Sequence, residues 1–150
     1  MNESKFIHKS HNVSVLLYHM VFPAKYRREV FSKTVDNLLK DTCIEISKRH
    51  EINFLEIGVD KDHVHFLLQS VPTYNVTKIV RLLKSITARI IFEKVVEVKK
   101  FLWGGNFWSS GYFCSTVGKY GNEDVIKKYV ENQGRGDEHE KLHTGQLTLF

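Results

Sequence analysis

Cysteine, proline and long apolar runs are what this chain has least of. Its two cysteines, Cys43 and Cys114, fall in predicted core elements without CxxC spacing. Neither a disulfide framework nor a zinc ribbon is therefore expected, and both thiols read as small buried hydrophobes. The two prolines, Pro23 and Pro72, punctuate predicted strands rather than fill a Pro-rich linker. The longest apolar stretches, around Val13 to Phe22 and Ile52 to Leu68, are broken by polar residues well short of a membrane span. The first residues, Met1 to Lys5, lack the apolar segment of a signal peptide, so a cytoplasmic location and no membrane partner are expected. Charge of one sign is also not dominant. Twenty-two Lys and Arg against seventeen Asp and Glu leave +5, a mild lean toward a polyanion.

What is present is an ordinary globular composition, 42% hydrophobic and 26% charged, which argues against disorder. A chain of 150 residues is one domain, able to bury roughly 70% of its unfolded surface without a metal or disulfide staple.

One stretch organises the rest. Asp62-His63-Val64-His65-Phe66-Leu67-Leu68 follows a charged turn and reads as a buried strand, yet it carries two histidines. Side chains two apart on a strand share a face, so His63 and His65 point one way while Val64, Phe66 and Leu68 point into a core. Two such imidazoles can hold a divalent ion if a third ligand arrives from elsewhere.

Around it the elements fall in order. Residues 1–11 read as a basic arm. Asn12 to Phe22 is rich in strand formers and stops at Pro23, and Lys25-Tyr26-Arg27-Arg28 then clusters three cations around a tyrosine in a loop suited to phosphate contact. From Thr34 to His50, Val35, Leu38, Leu39, Thr42, Cys43 and Ile46 recur at helical spacing. Strands 52–59 and 62–70 form a hairpin through Asp60-Lys61-Asp62. A second helix is marked by Val76, Ile79, Val80, Leu83, Ile86 or Thr87, and Ile90, with Lys78, Arg81, Lys84 and Arg89 among its polar positions. Phe101 to Gly111 is an aromatic, Gly-rich loop that can serve either as a stacking surface or as a plug for the end of the core. Tyr112 to Val117 is a fourth strand. Asn122-Glu123-Asp124 starts a last helix that places Tyr129 and Gln133 on one face and stops at Gly134. Residues 135–150 read as a loose tail.

The first six elements follow a β-α-β-β-α-β plan. The expected fold class is therefore α+β and ferredoxin-like or RRM-like: a four-stranded antiparallel sheet with helices on one face, plus a C-terminal helix carrying Tyr129. The first and third strands would be central, and the histidines would face the side the helices leave open.

Lys25-Tyr26-Arg27-Arg28, Asp62-His63-Val64-His65 with its apolar continuation, Trp108 to Tyr112 and Tyr129-x-x-x-Gln133, in this order over roughly residues 12–134, resemble the single-tyrosine HUH transposases of the insertion-sequence 200/605 group. The resemblance implies one transposase domain, with a core over 12–117 and a catalytic helix over 122–134. It implies cleavage and rejoining of single-stranded DNA through a 5′-phosphotyrosine link, with Tyr129 as nucleophile. His63, His65 and Gln133 would hold Mg²⁺ or Mn²⁺. It further implies DNA hairpins at element ends as the substrate, and a homodimer with sites completed in trans, for which Gly118 and Gly121 would supply a hinge. Lys25, Arg27, Arg28, Lys78, Arg81 and Lys84 are the candidates for DNA-backbone contact, and Trp108 for an unpaired base. Tyr120 is the rival nucleophile, disfavoured because no ligand-type partner follows it four residues on. A non-catalytic RRM-like single-strand binder is the main alternative, although His63, His65 and Leu67 stand where such a module places stacking aromatics. A relaxase-like or initiator-like HUH nuclease is the third; its tyrosine usually precedes the histidine strand.

Overall fold

The computed structural model describes residues 16–102, 105–118 and 139–140. Four strands and two long helices follow the expected order: β1 (Leu16–Pro23), α1 (Lys33–Arg49), β2 (Asn53–Val59), β3 (His63–Ser70), α2 (Val76–Lys94) and β4 (Phe113–Val117). Besides a 3-10 turn at Lys25–Arg27, two elements were not anticipated. A short helix α3 (Val96–Phe101) follows α2, and a two-residue strand β5 (His139–Glu140) lies within what the sequence suggested was a loose tail. The sheet order is β4-β1-β3-β2-β5, with every pairing antiparallel, so β1 and β3 are central as expected. β5 pairs with the edge strand β2, whose outer backbone groups would otherwise lack a ladder partner.

Local chemistry sets the helix ends. Ser32 Oγ accepts from the Val35 N–H at 3.3 Å, and Asn75 Oδ1 accepts from the Lys78 N–H at 2.8 Å, each satisfying a donor that the first helical turn leaves unpaired. α1 buries Val35, Leu39, Thr42, Cys43 and Ile46, and α2 buries Ile79, Val80, Leu83, Thr87 and Ile91. Thr87 rather than Ile86 faces inward, and Ile91 rather than Ile90 completes the stripe. Ile86 and Ile90 instead line a groove against α1.

Strand alternation then divides the sheet. Met20, Phe22, Val64, Phe66, Leu68 and Ile57 share the face toward the helices, where Phe22 meets Phe66 at 5.2 Å between ring centroids and Lys84 of α2 lies over the Phe22 ring. The opposite face carries His19, His65, Leu67, Gln69 and Glu56. Glu56 reaches that face through a bulge: Phe54 pairs with Leu68 but Glu56 pairs with Leu67, so the extra residue Leu55 puts two positions of like parity on opposite sides. Among the described residues no helix is long and apolar enough to cross a membrane.

Candidate metal and DNA site

β3 delivers the two histidines as the pattern implied, on the face away from α1 and α2. That face is not open at its centre. His65 is 2% exposed, whereas His63, one step nearer the strand end, is half-buried. Gly58 pairs with His65 across β2 and β3, so no side chain crowds the ring from that strand position.

The rings converge. His63 Nε2 and His65 Nε2 are 3.0 Å apart, with the ring planes crossing at 71°. Each Nδ1 has its own partner. His63 Nδ1 donates to Asp62 Oδ1 at 2.7 Å, a direction fixed because a carboxylate only accepts. His65 Nδ1 faces His19 Nε2 at 3.4 Å. Burial raises the Asp62 carboxyl, but the hydrogen bond from His63 and the Arg27 guanidinium together outweigh it and hold the group below the usual carboxylate range. An ionised Asp62 is thus the acceptor that fixes the His63 tautomer. Asp60 adds a second carboxylate 3.7 Å from His63 Nε2.

A divalent ion fits the pair. Two ligand bonds of about 2.1 Å meeting at a right angle separate their nitrogens by about 3.0 Å. That is the observed spacing, and both Nδ1 atoms are turned away. Among the described residues no third His, Cys, Asp or Glu joins them. Gln133, the third ligand implied by resemblance, and Tyr129 lie outside the described residues, as do Tyr120, Gly121 and the whole stretch 122–134 expected to form the catalytic helix.

The basic loop keeps its cations around Tyr26 and is tied down through its backbone. Ala24 N donates to Asp62 O, Lys25 N to Phe107 O and Ser109 N to Pro23 O, each at 2.8 to 2.9 Å. This pinning holds Tyr26 and Arg27 in the left-handed region, at φ 60° and 53°, which non-glycine residues adopt only when neighbours over-determine them. Arg27 Nε then reaches Asp62 Oδ2 at 3.1 Å. Arg27, a candidate for DNA contact, thus also backs the carboxylate that orients His63. Tyr26 stays 62% exposed, with Lys25 and Arg28 over its ring.

Two other candidates for DNA contact are committed to structure. Trp108 is 4% exposed and its Nε1 donates to Thr87 Oγ1 at 2.9 Å, so the ring plugs the core end and offers no face to a base. The loop fills the space above Phe22, Phe31 and Phe107, where burying an indole outweighs exposing it. Lys84 Nζ donates to the carbonyls of Ser109 and Gly111 at 2.7 and 3.0 Å, and burial lowers its ammonium from the ordinary range. Lys78 and Arg81 are exposed on α2. Lys25, Arg81, Lys84 and Arg89 line a cavity of about 540 Å³ beside Trp108, with no acidic side chain among the described residues that line it.

Sequence reasoning missed His19 and gave Asp62 no role. His19 was visible as the lone imidazole of β1, two residues before Val21, which pairs with His65. Only the register of β1 on β3 shows that they share a face.

Comparison with known proteins gives the family. A family model for IS200-like transposases matches residues 12–133. The chain is 35% identical over 118 residues to the ISDra2 transposase TnpA of Deinococcus radiodurans, covering 79% of this chain and 84% of that one. A candidate transposase from Deinococcus radiodurans R1, solved by crystallography, superposes with a TM-score of 0.67 at 31% identity, over 85% of this chain and 97% of that one. A REP-associated tyrosine transposase bound to a REP hairpin shares the fold at a TM-score of 0.55 and 9% identity, over 83% and 68% of the two chains. The β-α-β-β-α-β sheet with its paired histidines on β3, and a family match over residues 12–133, place this chain in the IS200-like transposase family.

Proposed function

We propose that this transposase cleaves and rejoins single-stranded DNA at element ends through a covalent link to Tyr129, with Mg²⁺ or Mn²⁺ held by His63, His65 and Gln133. The observation that carries the reading is the approach of the two Nε2 atoms to 3.0 Å while Asp62 and His19 occupy the Nδ1 sides. Two lone pairs aimed at one point are stable only with a cation or proton between them. When bound, the cation supplies Lewis acidity to the scissile phosphate, drawing charge from the oxygens that become more negative during attack.

The chain's own groups do the rest. The Tyr129 Oη–P bond forms as the bond from phosphorus to the 3′ oxygen breaks. The phenolic proton is given up and the leaving 3′ oxygen takes one, producing a 5′-phosphotyrosine and a free 3′-hydroxyl. Attack by a 3′-hydroxyl on the same phosphorus reverses the balance and frees Tyr129. The phosphodiester energy is conserved in the link, so no nucleotide hydrolysis is needed. Asp62, backed by Arg27, keeps the His63 Nε2 lone pair aimed at the site.

The substrate reading is a hairpin in single-stranded DNA. It is supported by the basic cavity at Lys25, Arg81 and Arg89, by exposed Lys78, and by the REP-associated transposase of the same fold, which is itself bound to a hairpin. A homodimer with Tyr129 completing the neighbour's site belongs to the same proposal.

The test is incubation with hairpin-bearing single-stranded oligonucleotides and Mn²⁺, followed by a denaturing gel. A protein–DNA adduct is expected from the wild type, and hairpin binding without adduct from Tyr129→Phe. An adduct that persists in Tyr129→Phe, or forms equally in excess chelator, would overturn the nucleophile or the metal respectively.

A further inference from the structure

His19 stands behind His65, on the side of the ring away from His63. Its Nε2 is 3.4 Å from His65 Nδ1, the two rings are within 8° of parallel, and their centroids are 5.7 Å apart. The nitrogen separation plus one ring radius at each end accounts for the whole centroid distance. The rings therefore lie edge to edge rather than face to face, which is the arrangement of an in-plane N–H···N hydrogen bond. Phe113 closes against His19 in a T-shaped contact at 5.8 Å, and the side chain is 2% exposed.

Two proton arrangements satisfy the chain of contacts. In one, every donor points the same way: His19 Nε2–H to His65 Nδ1, His65 Nε2–H to His63 Nε2, and His63 Nδ1–H to Asp62. In the other, His65 carries its proton on Nδ1 and gives it to His19 Nε2, while His19 carries its own proton on Nδ1. Only the second leaves lone pairs on both Nε2 atoms. All three rings are neutral in both arrangements, so the change is an exchange of tautomers with no net proton gained or lost.

We infer that His19 is a positioning residue for the metal site: it accepts the His65 Nδ1–H and so holds the His65 Nε2 lone pair toward the point that His63 Nε2 also faces. The inference rests on the proposal that these two nitrogens bind a cation. Asp62 and His19 then do the same task for the two ligands by different means. A carboxylate fixes the half-buried ring next to solvent, and a neutral imidazole fixes the buried one, where a charge would be costly. Orienting partners of this kind typically change metal affinity by about 10 to 100-fold.

The experiment combines Mn²⁺ titration calorimetry with NMR of the histidine ring nitrogens on the full chain, using Zn²⁺ as the diamagnetic probe. His19→Leu is expected to weaken Mn²⁺ binding by about 10 to 100-fold, and His19→Gln, whose amide oxygen can accept, to recover most of that loss. In the Zn²⁺-loaded wild type, His19 is expected to carry its proton on Nδ1. Equal Mn²⁺ affinity in wild type and His19→Leu overturns the inference alone. A His19 protonated at Nε2 in the Zn²⁺-loaded protein does so as well, even if His19→Leu fails to fold. No Mn²⁺ uptake by the wild type overturns the proposed metal site and this inference with it.

Discussion

The two faces of one sheet are built from the same strands, yet they are chemically unlike. Toward α1 and α2 stand Met20, Phe22, Phe54, Val64, Phe66 and Leu68, each fully buried. On the other side stand His19, Glu56, His65 and Gln69, which are no more than 2% exposed, and half-buried His63. Both faces are therefore largely excluded from water, and burial alone does not distinguish core from site. Composition does: one face carries mostly groups that gain by leaving water, and the other concentrates groups that lose by it unless they are paired. A period of two lets adjacent residues on one strand serve these opposite ends, so that Val64 and Phe66 hold β3 in place while His63 and His65 face the other way, outside that packing.

The sharpest separation is expected at His63. His63→Ala should lower metal-dependent cleavage by more than the roughly hundredfold typical of an orienting partner, with little change in thermal stability. Its neighbour on the opposite face should do the reverse. Phe66→Ala removes a fully buried ring that packs on Phe22 and Phe54 and should cost about 3–5 kcal/mol in denaturant unfolding. Nε2 convergence should survive in whatever fraction stays folded, seen as unchanged Mn²⁺ affinity per folded molecule. A comparable loss of stability in both variants would erase the distinction between the faces.

Smaller effects sharpen it. Asp62→Asn replaces the acceptor of the His63 Nδ1–H and breaks the ion pair with Arg27, and is expected to weaken Mn²⁺ binding by about 10 to 100-fold in calorimetry. Arg27→Ala should follow in the same direction but more weakly, since its partner remains. A drop in hairpin affinity with Mn²⁺ binding untouched would return Arg27 to a purely DNA-contacting role. Trp108→Phe leaves Thr87 without its indole donor and is expected to cost about 1–2 kcal/mol, with hairpin binding unchanged. If hairpin affinity falls while stability holds, the indole meets the DNA after all.

How much of this could be read beforehand follows from the range of each signal. Alternation and helical spacing are local, so β2, β3, β4 and α1 were legible to within a residue at each end, β1 and α2 by type and order, and the sidedness of His63 and His65 with them. Centrality of β1 and β3 followed from the β-α-β-β-α-β order. Register is not local. That His19 meets His65, or that Arg27 reaches Asp62, depends on which residue of one strand or loop lies beside which of another, and on a pair of left-handed residues that no propensity favours. The bulge at Leu55 is likewise invisible in pattern alone, because it breaks the parity by which faces are assigned. Trp108 had both a stacking and a plugging reading in sequence, and the hydroxyl of Thr87 decides between them by giving the buried N–H a partner.

The central claim is that two imidazoles from β3 hold one divalent ion on the face opposite the helices. Electron spin echo envelope modulation of Mn²⁺ bound to the full chain measures it most directly. The account predicts coupling to two imidazole nitrogens in the wild type, falling to one in His63→Ala and in His65→Ala. A spectrum of Mn²⁺ surrounded only by oxygen, unchanged in both variants, would contradict it.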